Sequence, residues 1–162
     1  MTSNTLRKRK IAVLGSRSVG MVHFILDVMS LTRLLGKSSL VVQFIENHFV
    51  EPYFPTIENT FSKGVVYRGV EYDCDIIDTA GQVRHVILYT ETQLIFTQDE
   101  YSILSSKHAI GIHGYVLVYS VASRRSFDMI QIVYDKIADF CGKNDIPCVI
   151  VGSKSDLQSR YV

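Results

Sequence analysis

The sequence of 162 residues lacks a charge excess and a hydrophobic run long enough to cross a membrane. With 17 Lys and Arg against 16 Asp and Glu, its formal net charge is +1, so no basic field indicates a nucleic-acid partner. No apolar stretch reaches the roughly 18 residues of a membrane span, and no secretory signal core follows the basic start. We interpret the basic cluster at residues 7–10 as a solvated edge; a nuclear address or a lipid contact is the alternative.

Cysteine is also scarce, since only Cys74, Cys141 and Cys148 are present. An odd number without the spacing of a metal site predicts reduced, mostly buried thiols, and hence a cytoplasmic protein. Internal repeats and low-complexity segments are absent as well. At 47% hydrophobic and 20% charged residues, a chain of this length predicts one folded domain over residues 1–162.

Short β-favouring runs alternate with helical segments along the chain. The predicted strands cover residues 10–14, 60–67, 70–78, 113–121 and 147–151, and the predicted helices cover 37–49 and a segment that starts at 123. Arg68-Gly69 predicts a hairpin turn between the second and third strands. The last predicted helix has one apolar face, formed by Phe127, Ile130, Tyr134, Ile137 and Cys141. This alternation predicts an α/β domain with a mostly parallel sheet and right-handed crossovers.

The most informative residues follow the first strand. Residues 15–20 read Gly-Ser-Arg-Ser-Val-Gly, and Lys37-Ser38 come only after residues 21–36. A phosphate-binding loop has the pattern G-x-x-x-x-G-K-[ST]: its backbone N–H groups surround the phosphates, its lysine reaches the outer phosphates and its hydroxyl binds Mg²⁺. With residues 21–36 set aside, the pattern is complete and follows a strand. For this loop alone, a chance match is the alternative.

A second motif is interrupted in the same way. Residues 78–82 read Asp-Thr-Ala-Gly-Gln, and Asp-Glu-Tyr-Ser at 99–102 follows only after residues 83–98. Each interruption is 16 residues long and ends on the residue type that precedes it, glycine in the first and glutamine in the second. We hypothesise that both are unspliced introns, or introns that the gene model missed. A mature transcript that always carries both segments would contradict this hypothesis.

The two inserts are predicted to differ in structure. Polar residues recur with helical spacing between His23 and Arg33, which predicts a helix over 22–34. The β-favouring runs 86–89 and 94–97 have no cap nearby, so we expect the second insert to be an irregular loop of low order.

Together, the motifs resemble the Rheb branch of the Ras superfamily. The match is carried by Arg17 in the phosphate loop, the segment 55–61 (Pro-Thr-Ile-Glu-Asn-Thr-Phe), the split Asp-Thr-Ala-Gly-Gln motif and the segment 152–157 (Gly-Ser-Lys-Ser-Asp-Leu). With both inserts set aside, the resemblance covers essentially the whole chain. It implies a P-loop NTPase fold of the Ras-like type in a single small-GTPase domain, and a signalling switch that binds and hydrolyses GTP.

The resemblance also implies roles for individual residues. It assigns nucleotide contacts to Gly15, Arg17, Ser18, Val19, Gly20, Lys37, Ser38, Ser39, Tyr53, Thr56, Gly81, Ser153, Lys154 and Asp156. It assigns Mg²⁺ coordination to Ser38, Thr56 and Asp78, and the hydrolysis step to Gln82, Thr56, Arg17 and Tyr53. In the base loop, the Asp156 carboxylate can accept hydrogen bonds from guanine N1–H and N2–H₂, whereas adenine offers a mismatched edge.

Arg17 stands where Ras-like phosphate loops usually carry glycine and crowds the space of an inserted arginine finger, so the resemblance implies slow turnover and a GTPase-activating protein of the tuberous-sclerosis type. Two other features depart from the family pattern. Ser153 replaces the family Asn and lacks the amide that ties this loop to the phosphate loop. The chain ends at Val162, before the family's last strand, last helix and prenylated cysteine motif, so we expect lower stability and no membrane anchor from this chain itself.

The implied partners are GTP or GDP, the activating protein and an effector in the TOR-kinase growth pathway. A competing interpretation is a nucleotide-incompetent pseudo-GTPase, or a mis-spliced product, that acts at most through protein contacts. An ATP-using P-loop enzyme is disfavoured because Asp156 matches the guanine edge.

Overall fold

The computed structural model of the chain describes residues 7–15, 36–48, 56, 58–79, 87–90, 93–96, 111–157 and 160–162. In chain order these residues form β1 (Arg7–Leu14), α1 (Lys37–Glu46), β2 (Glu58–Tyr67), β3 (Val70–Thr79), β4 (Ile87–Thr90), β5 (Gln93–Phe96), β6 (Gly114–Ser120), α2 (Arg124–Cys141) and β7 (Cys148–Ser153). Apart from β4 and β5, the order of strands and helices is the one that the sequence predicts.

Five strands form one sheet in the order β2-β3-β1-β6-β7. β1 is parallel to β3 and β6, and β6 is parallel to β7, while β2 and β3 form an antiparallel hairpin. The register places Val13 opposite Asp78 on one side and opposite Val116 on the other. The four parallel strands therefore end at the same edge of the sheet, which is where open α/β sheets bind ligands. The predicted α/β fold with a mostly parallel sheet is confirmed.

The β2–β3 hairpin turns at the predicted dipeptide, Arg68-Gly69. Their φ angles are 49° and 75°, and a two-residue type I′ turn requires positive values at both positions. Gly69 adopts a positive φ without steric cost, which favours this turn.

β1 begins at Arg7, whereas the hydropathy pattern predicts a start at residue 10. Residues 7–10 pair in register with residues 72–75 of β3. The Arg9 guanidinium also lies 5.4 Å from the centroid of the Tyr72 ring. Backbone pairing and this cation–π contact stabilise basic residues in a strand, which an apolar pattern cannot detect. Most of the basic cluster is exposed, as expected for a solvated edge.

Caps fix the bounds of the two helices. In α2 the Ser123 hydroxyl accepts a hydrogen bond from the Ser126 N–H, and Gly142 closes the C-terminus with a φ of 61°. α1 ends at Glu46, earlier than predicted, because Asn47 adopts a left-handed conformation with a φ of 56°. Neither of these two described helices combines the length and hydrophobicity that a membrane span requires.

Two apolar clusters pack on opposite faces of the sheet. The face under α2 contains Ala12, Leu14, Tyr115, Leu117, Ile130, Val133, Ile137 and Ile146. The other cluster, which we call the α1-side cluster, contains Val13, Val41, Ile76 and Val118. Alternate residues of β1 and β6 therefore point to opposite faces, as in strands that are buried on both sides. Ile130 and Ile137 confirm the apolar face predicted for α2, and its other three members are half-buried.

The prediction of an irregular loop for the second insert is wrong. β4 and β5 lie within it and pair antiparallel, with Ile87 opposite Phe96. The two strands are separated by two residues, as in a short hairpin, and their pairing satisfies backbone groups that a loop would leave to solvent. The helix predicted over 22–34 lies outside the described residues.

The three cysteines are free thiols, as predicted. Cys74 is buried, whereas Cys141 and Cys148 are half-buried. Burial is the main cause that raises the pKa of the Cys74 thiol, so this group stays protonated and unreactive.

Gly15, which follows β1, approaches the backbone of β6 more closely than a side chain allows. A Cβ atom added to Gly15 would lie 2.1 Å from the carbonyl oxygen of Val118. The facing group is backbone of the central strand β6, and Gly15 directly follows the central strand β1, so neither can move aside without distorting the sheet. We predict that Gly15→Ala lowers the free energy of unfolding by about 3 kcal/mol, at the upper end of the usual cost of overpacking.

Urea unfolding followed by circular dichroism measures this change. Gly64→Ala is the matched control, because Gly64 lies in β2 and its added Cβ would meet only a Glu71 carboxylate oxygen at 3.8 Å. Equal effects of the two substitutions would contradict the prediction.

Candidate functional site

The predicted magnesium ligands meet at the carboxyl edge of the sheet. Asp78 lies near the end of β3, opposite Val13 of β1, and Ser38 lies in the first turn of α1. The Ser38 Oγ atom is 2.8 Å from Oγ1 of Thr56, which precedes β2 by two residues. A hydrogen bond also links Ser38 to the Asp78 carboxyl group. Three oxygen-bearing side chains from three separate segments therefore lie together.

Asp78 is the most deeply buried polar residue of this group. It is 1% exposed, and its Oδ1 atom has no hydrogen-bond partner among the residues that the structure describes. Burial raises the pKa of Asp78 above its ordinary value, and the opposing effects of the Ser38 hydrogen bond and the Lys37 charge are smaller. A buried carboxylate oxygen without a partner is unfavourable unless a cation neutralises it.

The three side chains fit a small divalent cation. Mg²⁺ prefers oxygen ligands and is usually held by one or two carboxylates together with the phosphates of a substrate. Asp78 supplies a carboxylate, and Ser38 and Thr56 supply two hydroxyl oxygens 2.8 Å apart. The partnerless Oδ1 of Asp78 is the atom whose burial such a cation would compensate. The predicted set of metal ligands is therefore chemically suited to Mg²⁺.

The start of α1 adds positive potential beside these oxygens. Lys37 is the first helical residue, and Gly36 before it makes no side-chain cap. The first turn contains no acidic residue, and the buried Ser39 hydroxyl has no partner in the described part of the chain. The N–H groups at a helix start and the helix dipole favour an anion at this end. A phosphate group fits this position, next to Lys37 and the metal ligands.

The first insert does not displace α1 from the site. Residues 16–35 separate Gly15 from Gly36 in the chain, yet Ser38 still contacts Thr56 and Asp78. Val41 of α1 is 3% exposed in the α1-side cluster. Packing against the sheet therefore holds the helix in place despite the long connection.

The predicted base loop follows β7 at the same edge of the sheet. The Ser153 hydroxyl donates to the carbonyl oxygen of Tyr119 at 2.8 Å, and the Val121 N–H donates to the carbonyl oxygen of Ser153 at 3.0 Å. The family pattern has Asn at this position, whose amide reaches the phosphate loop. The hydrogen bonds of Ser153 instead join the end of β7 to the end of β6.

The turn after β7 has an uncommon backbone conformation. Lys154 has a φ of 63°, which non-glycine residues rarely adopt. The Leu157 N–H donates to the Lys154 carbonyl oxygen at 3.1 Å, and the Arg160 guanidinium donates to the Ser155 carbonyl oxygen at 2.7 Å. Burial lowers the pKa of Lys154, and the charge of Asp156 opposes that shift. The turn thus places an exposed carboxylate beside a half-buried lysine.

The structure brings the predicted residues into two groups. The described part of the site contains Gly15, Lys37, Ser38, Ser39, Thr56, Asp78, Ser153, Lys154 and Asp156. The remaining predicted residues lie outside the described part: Arg17, Ser18, Val19, Gly20, Tyr53, Gly81 and Gln82. The phosphate-side group surrounds the start of α1, and the base loop lies two strands away from β1, with β6 between them.

Two residues that position the phosphate-side group and the base loop, Thr79 and Arg160, are not evident from the sequence pattern. The Thr79 hydroxyl donates to the carbonyl oxygen of Val13 at 2.9 Å in buried surroundings, which ties the end of β3 to β1 beside Asp78. Arg160 fixes the turn after β7. The Asp-Thr-Ala-Gly-Gln motif includes Thr79, but a pattern cannot distinguish a hydroxyl bonded within a sheet from one in solvent.

A mostly parallel sheet, with two hydroxyls, a buried carboxylate and a helix start gathered at its carboxyl edge, is consistent with the fold of the P-loop class of nucleotide-binding proteins. Residues 32–95 and 93–162 match the Ras family, and the two matched segments overlap within the second insert. The chain therefore belongs to the Ras family, and its resemblance to the Rheb branch is confirmed.

Several curated proteins are similar to nearly the whole chain. The GTP-binding protein rhb1 of Schizosaccharomyces pombe is 53% identical over 155 residues, which cover 96% of this chain and 66% of the relative. The small monomeric GTPase RhbA of Aspergillus fumigatus is 50% identical over 154 residues, 95% of this chain and 65% of the relative. The GTP-binding protein Rheb of Homo sapiens is 42% identical over 156 residues, 96% of this chain and 67% of the relative. The chain thus spans about two thirds of the length of these relatives.

The raised pKa of Asp78 predicts a specific pH dependence of stability. The folded protein binds the Asp78 proton more tightly than the unfolded chain does. Protonation of Asp78 therefore stabilises the fold fully below the ordinary pKa of Asp, and this stabilisation is lost as the pH rises through the raised pKa of the folded state. We therefore expect Asp78→Asn in EDTA to be more stable than the original protein at pH 7, with a difference that shrinks toward pH 4.

Thermal unfolding of both proteins between pH 4 and pH 7 tests this expectation. Asp145→Asn is the control, because Asp145 is an exposed carboxylate. Addition of Mg²⁺ should stabilise the original protein but not Asp78→Asn, since a ligand that binds only the folded state raises its stability. A variant that is less stable than the original protein at pH 7 in EDTA would contradict the assignment of Asp78 as an uncompensated buried charge.

Proposed function

We propose that this protein is a guanine-nucleotide-dependent switch that binds GTP and GDP with Mg²⁺ and hydrolyses GTP. The observation that carries the proposal is the contact of Ser38 with Thr56, 2.8 Å apart, beside the partnerless Oδ1 of buried Asp78. Thr56 belongs to the segment that precedes β2, while Ser38 and Asp78 belong to the helix and the sheet. A ligand that engages all three would therefore couple that segment to the core, which is how a switch protein reports its nucleotide.

Phosphoryl transfer in such a site consists mainly of positioning and electrostatic stabilisation. Lys37 would neutralise charge on the outer phosphates, and the N–H groups at the start of α1 would bind phosphate oxygens. Ser38, Thr56 and Asp78 would hold Mg²⁺, which when bound supplies charge neutralisation to the phosphates. The described positions of these side chains and of the start of α1 support each of these roles.

The base loop supports selection of guanine. The Asp156 carboxylate would accept two hydrogen bonds from the guanine edge, and the aliphatic stem of Lys154 would cover the base. The turn that carries both residues is held by Leu157 and Arg160, so it needs little rearrangement to bind. A preorganised turn loses less conformational freedom on binding.

The family resemblance supplies the remaining parts of the proposal. Gln82 would orient the attacking water, Tyr53 would cover the nucleotide, and Arg17 would slow turnover and exclude an arginine finger. A GTPase-activating protein of the tuberous-sclerosis type and a TOR-kinase effector are the proposed protein partners. Free thiols support a location in the reducing cell interior, and membrane attachment would depend on a C-terminal lipid motif of the family type.

A second candidate is a pseudo-GTPase that does not bind nucleotide. Residues 21–36 separate the first six positions of the phosphate loop from Lys37. In addition, the Ser153 hydroxyl is hydrogen-bonded to Tyr119 of β6, whereas the family uses an Asn amide at this position to join the base loop to the phosphate loop. Titration with a fluorescent guanine nucleotide distinguishes the two candidates, and competition by ATP tests the preference for guanine.

We predict that Asp156→Asn, in a variant lacking residues 21–36 and 83–98, weakens GTP binding by roughly 10- to 100-fold. Loss of a hydrogen bond to a charged group costs about 1.5–3 kcal/mol, which corresponds to that range. Fluorescence titration gives the dissociation constants. Asp145→Asn removes an exposed carboxylate outside the base loop and should leave GTP affinity unchanged; an unchanged affinity in Asp156→Asn as well would show that Asp156 does not read the base.

We also predict that the full chain binds GTP more weakly than the same chain without residues 21–36. Closing a flexible loop of 16 residues costs only about 2.5 kcal/mol, so connectivity alone is not prohibitive. The larger cost is that residues 15–20 no longer lead directly into Lys37, so the backbone N–H groups that should surround the phosphates lose their continuity with α1.

The comparison uses two proteins that both lack residues 83–98 and differ only in residues 21–36. We expect a difference of several kcal/mol in binding free energy, equivalent to more than a hundredfold in affinity. GTP affinities that agree within about threefold would show that the first insert is accommodated in a working site.

A further inference from the structure

Lys63 of β2 contacts the C-terminal end of α1, far from Lys63 in the sequence. Its Nζ atom donates hydrogen bonds to the carbonyl oxygens of Phe44 and Ile45, the latter at 3.2 Å. The same ammonium group lies 4.6 Å from the centroid of the Phe44 ring. Lys63 is half-buried, so these contacts are shielded from full solvent competition.

These contacts satisfy a need that α1 does not meet by itself. The last four carbonyl groups of a helix have no partner within it, and a cation near them also interacts favourably with the helix dipole. The last turn of α1 has no basic residue, and the Asn47 N–H reaches only the carbonyl of Gln43. Lys63, which lies in β2, therefore supplies the cation that caps the C-terminal end of α1. A helix of only 10 residues depends on such contacts for its stability.

The helix and the region of β2 meet at two separate places. Near the start of α1, Ser38 contacts Thr56, and at its end, Phe44 and Ile45 contact Lys63. In addition, the side chains of Ile45 of α1 and Phe61 of β2 both pack against the α1-side cluster. A helix is stiff over 10 residues, so fixing its far end restricts the position of its first turn.

We infer that Lys63 is a positioning residue that keeps Ser38 within reach of Thr56. Lys63 itself touches neither of these side chains; it acts through α1. The inference deepens the proposed function, and rests on it only where the Ser38–Thr56 pair is taken to hold Mg²⁺. The contact between the two hydroxyls can be tested without any nucleotide.

A double-mutant cycle on the full chain provides that test. The single variants are Lys63→Met, which keeps the aliphatic stem without the charge, and Thr56→Val, which removes the hydroxyl. If Lys63 positions the pair, Thr56→Val should shift the unfolding equilibrium constant at least threefold less in the Lys63→Met background than in the original protein. Additive effects would overturn the inference.

Two further variants separate positioning from general stability. Lys63→Arg keeps a cationic donor and should restore most of the coupling, whereas Lys143→Met removes an exposed lysine charge outside this contact and should leave the coupling intact. If Lys63→Met does not fold, Lys63→Gln replaces it in the cycle, because it removes the capping charge and keeps a polar side chain at this half-buried position. Loss of coupling in Lys143→Met would show a nonspecific charge effect and would also overturn the inference.

Release of a fluorescent guanine nucleotide from the full chain links the contact to the proposed site. Lys63→Met should release nucleotide about tenfold faster in Mg²⁺ but at an unchanged rate in EDTA, where the metal ligands no longer matter. Equal acceleration in both conditions would indicate a merely structural role and would overturn the inference. If the full chain binds no nucleotide, the proposed function fails for this chain, while the double-mutant cycle still decides the role of Lys63.

Discussion

The buried carboxylate of Asp78 is the constraint on which the site depends. It lies at the end of a central strand, and the side chains that approach it carry hydroxyl groups or positive charge. The Thr79 hydroxyl, which bonds to the carbonyl of Val13, holds this strand end against β1. Asp78 is 1% exposed, so folding removes nearly all hydration from its carboxylate. The fold thus keeps a charge where only a cation, or a proton, can compensate it.

The position of α1 shows that a long preceding connection has little effect on where a helix lies once the helix is packed against the sheet. The logarithmic dependence of loop entropy on length makes an insertion between two packed elements inexpensive. Val41 in the α1-side cluster and the Lys63 contacts at the helix end fix α1 independently of the residues that precede it. The same holds at the second insert, whose strands β4 and β5 pair with each other and not with the main sheet. Both insertions are therefore compatible with an intact core, although each interrupts a motif of the site.

What could be predicted from the sequence depends on how local each signal is. The hairpin at Arg68-Gly69 and the apolar face of α2 were predictable because their signals lie within a few residues. Ser38, Thr56 and Asp78 were predictable as a group only through the family resemblance, since no spacing rule brings such distant residues together. The strand pairing of residues 7–10 and the capping of α1 by Lys63 were not predictable, because each depends on a partner more than 15 residues away.

The two halves of the site are held by different parts of the sheet, and this division determines what a bound nucleotide would do. The phosphate-side residues are fixed by β1, β3 and α1, whereas the base loop is fixed by hydrogen bonds to β6 and by those of Leu157 and Arg160. Residues 11–14 of β1 pair with residues 114–117 of β6, and this pairing joins the two halves through the sheet. Ala12 and Leu117 in that pairing are fully buried, so the spacing between the halves is set by the best-packed part of the core. A nucleotide that spans both halves would therefore meet a fixed distance across β1 and β6, and the adjustable element would be Thr56, which the sheet does not hold.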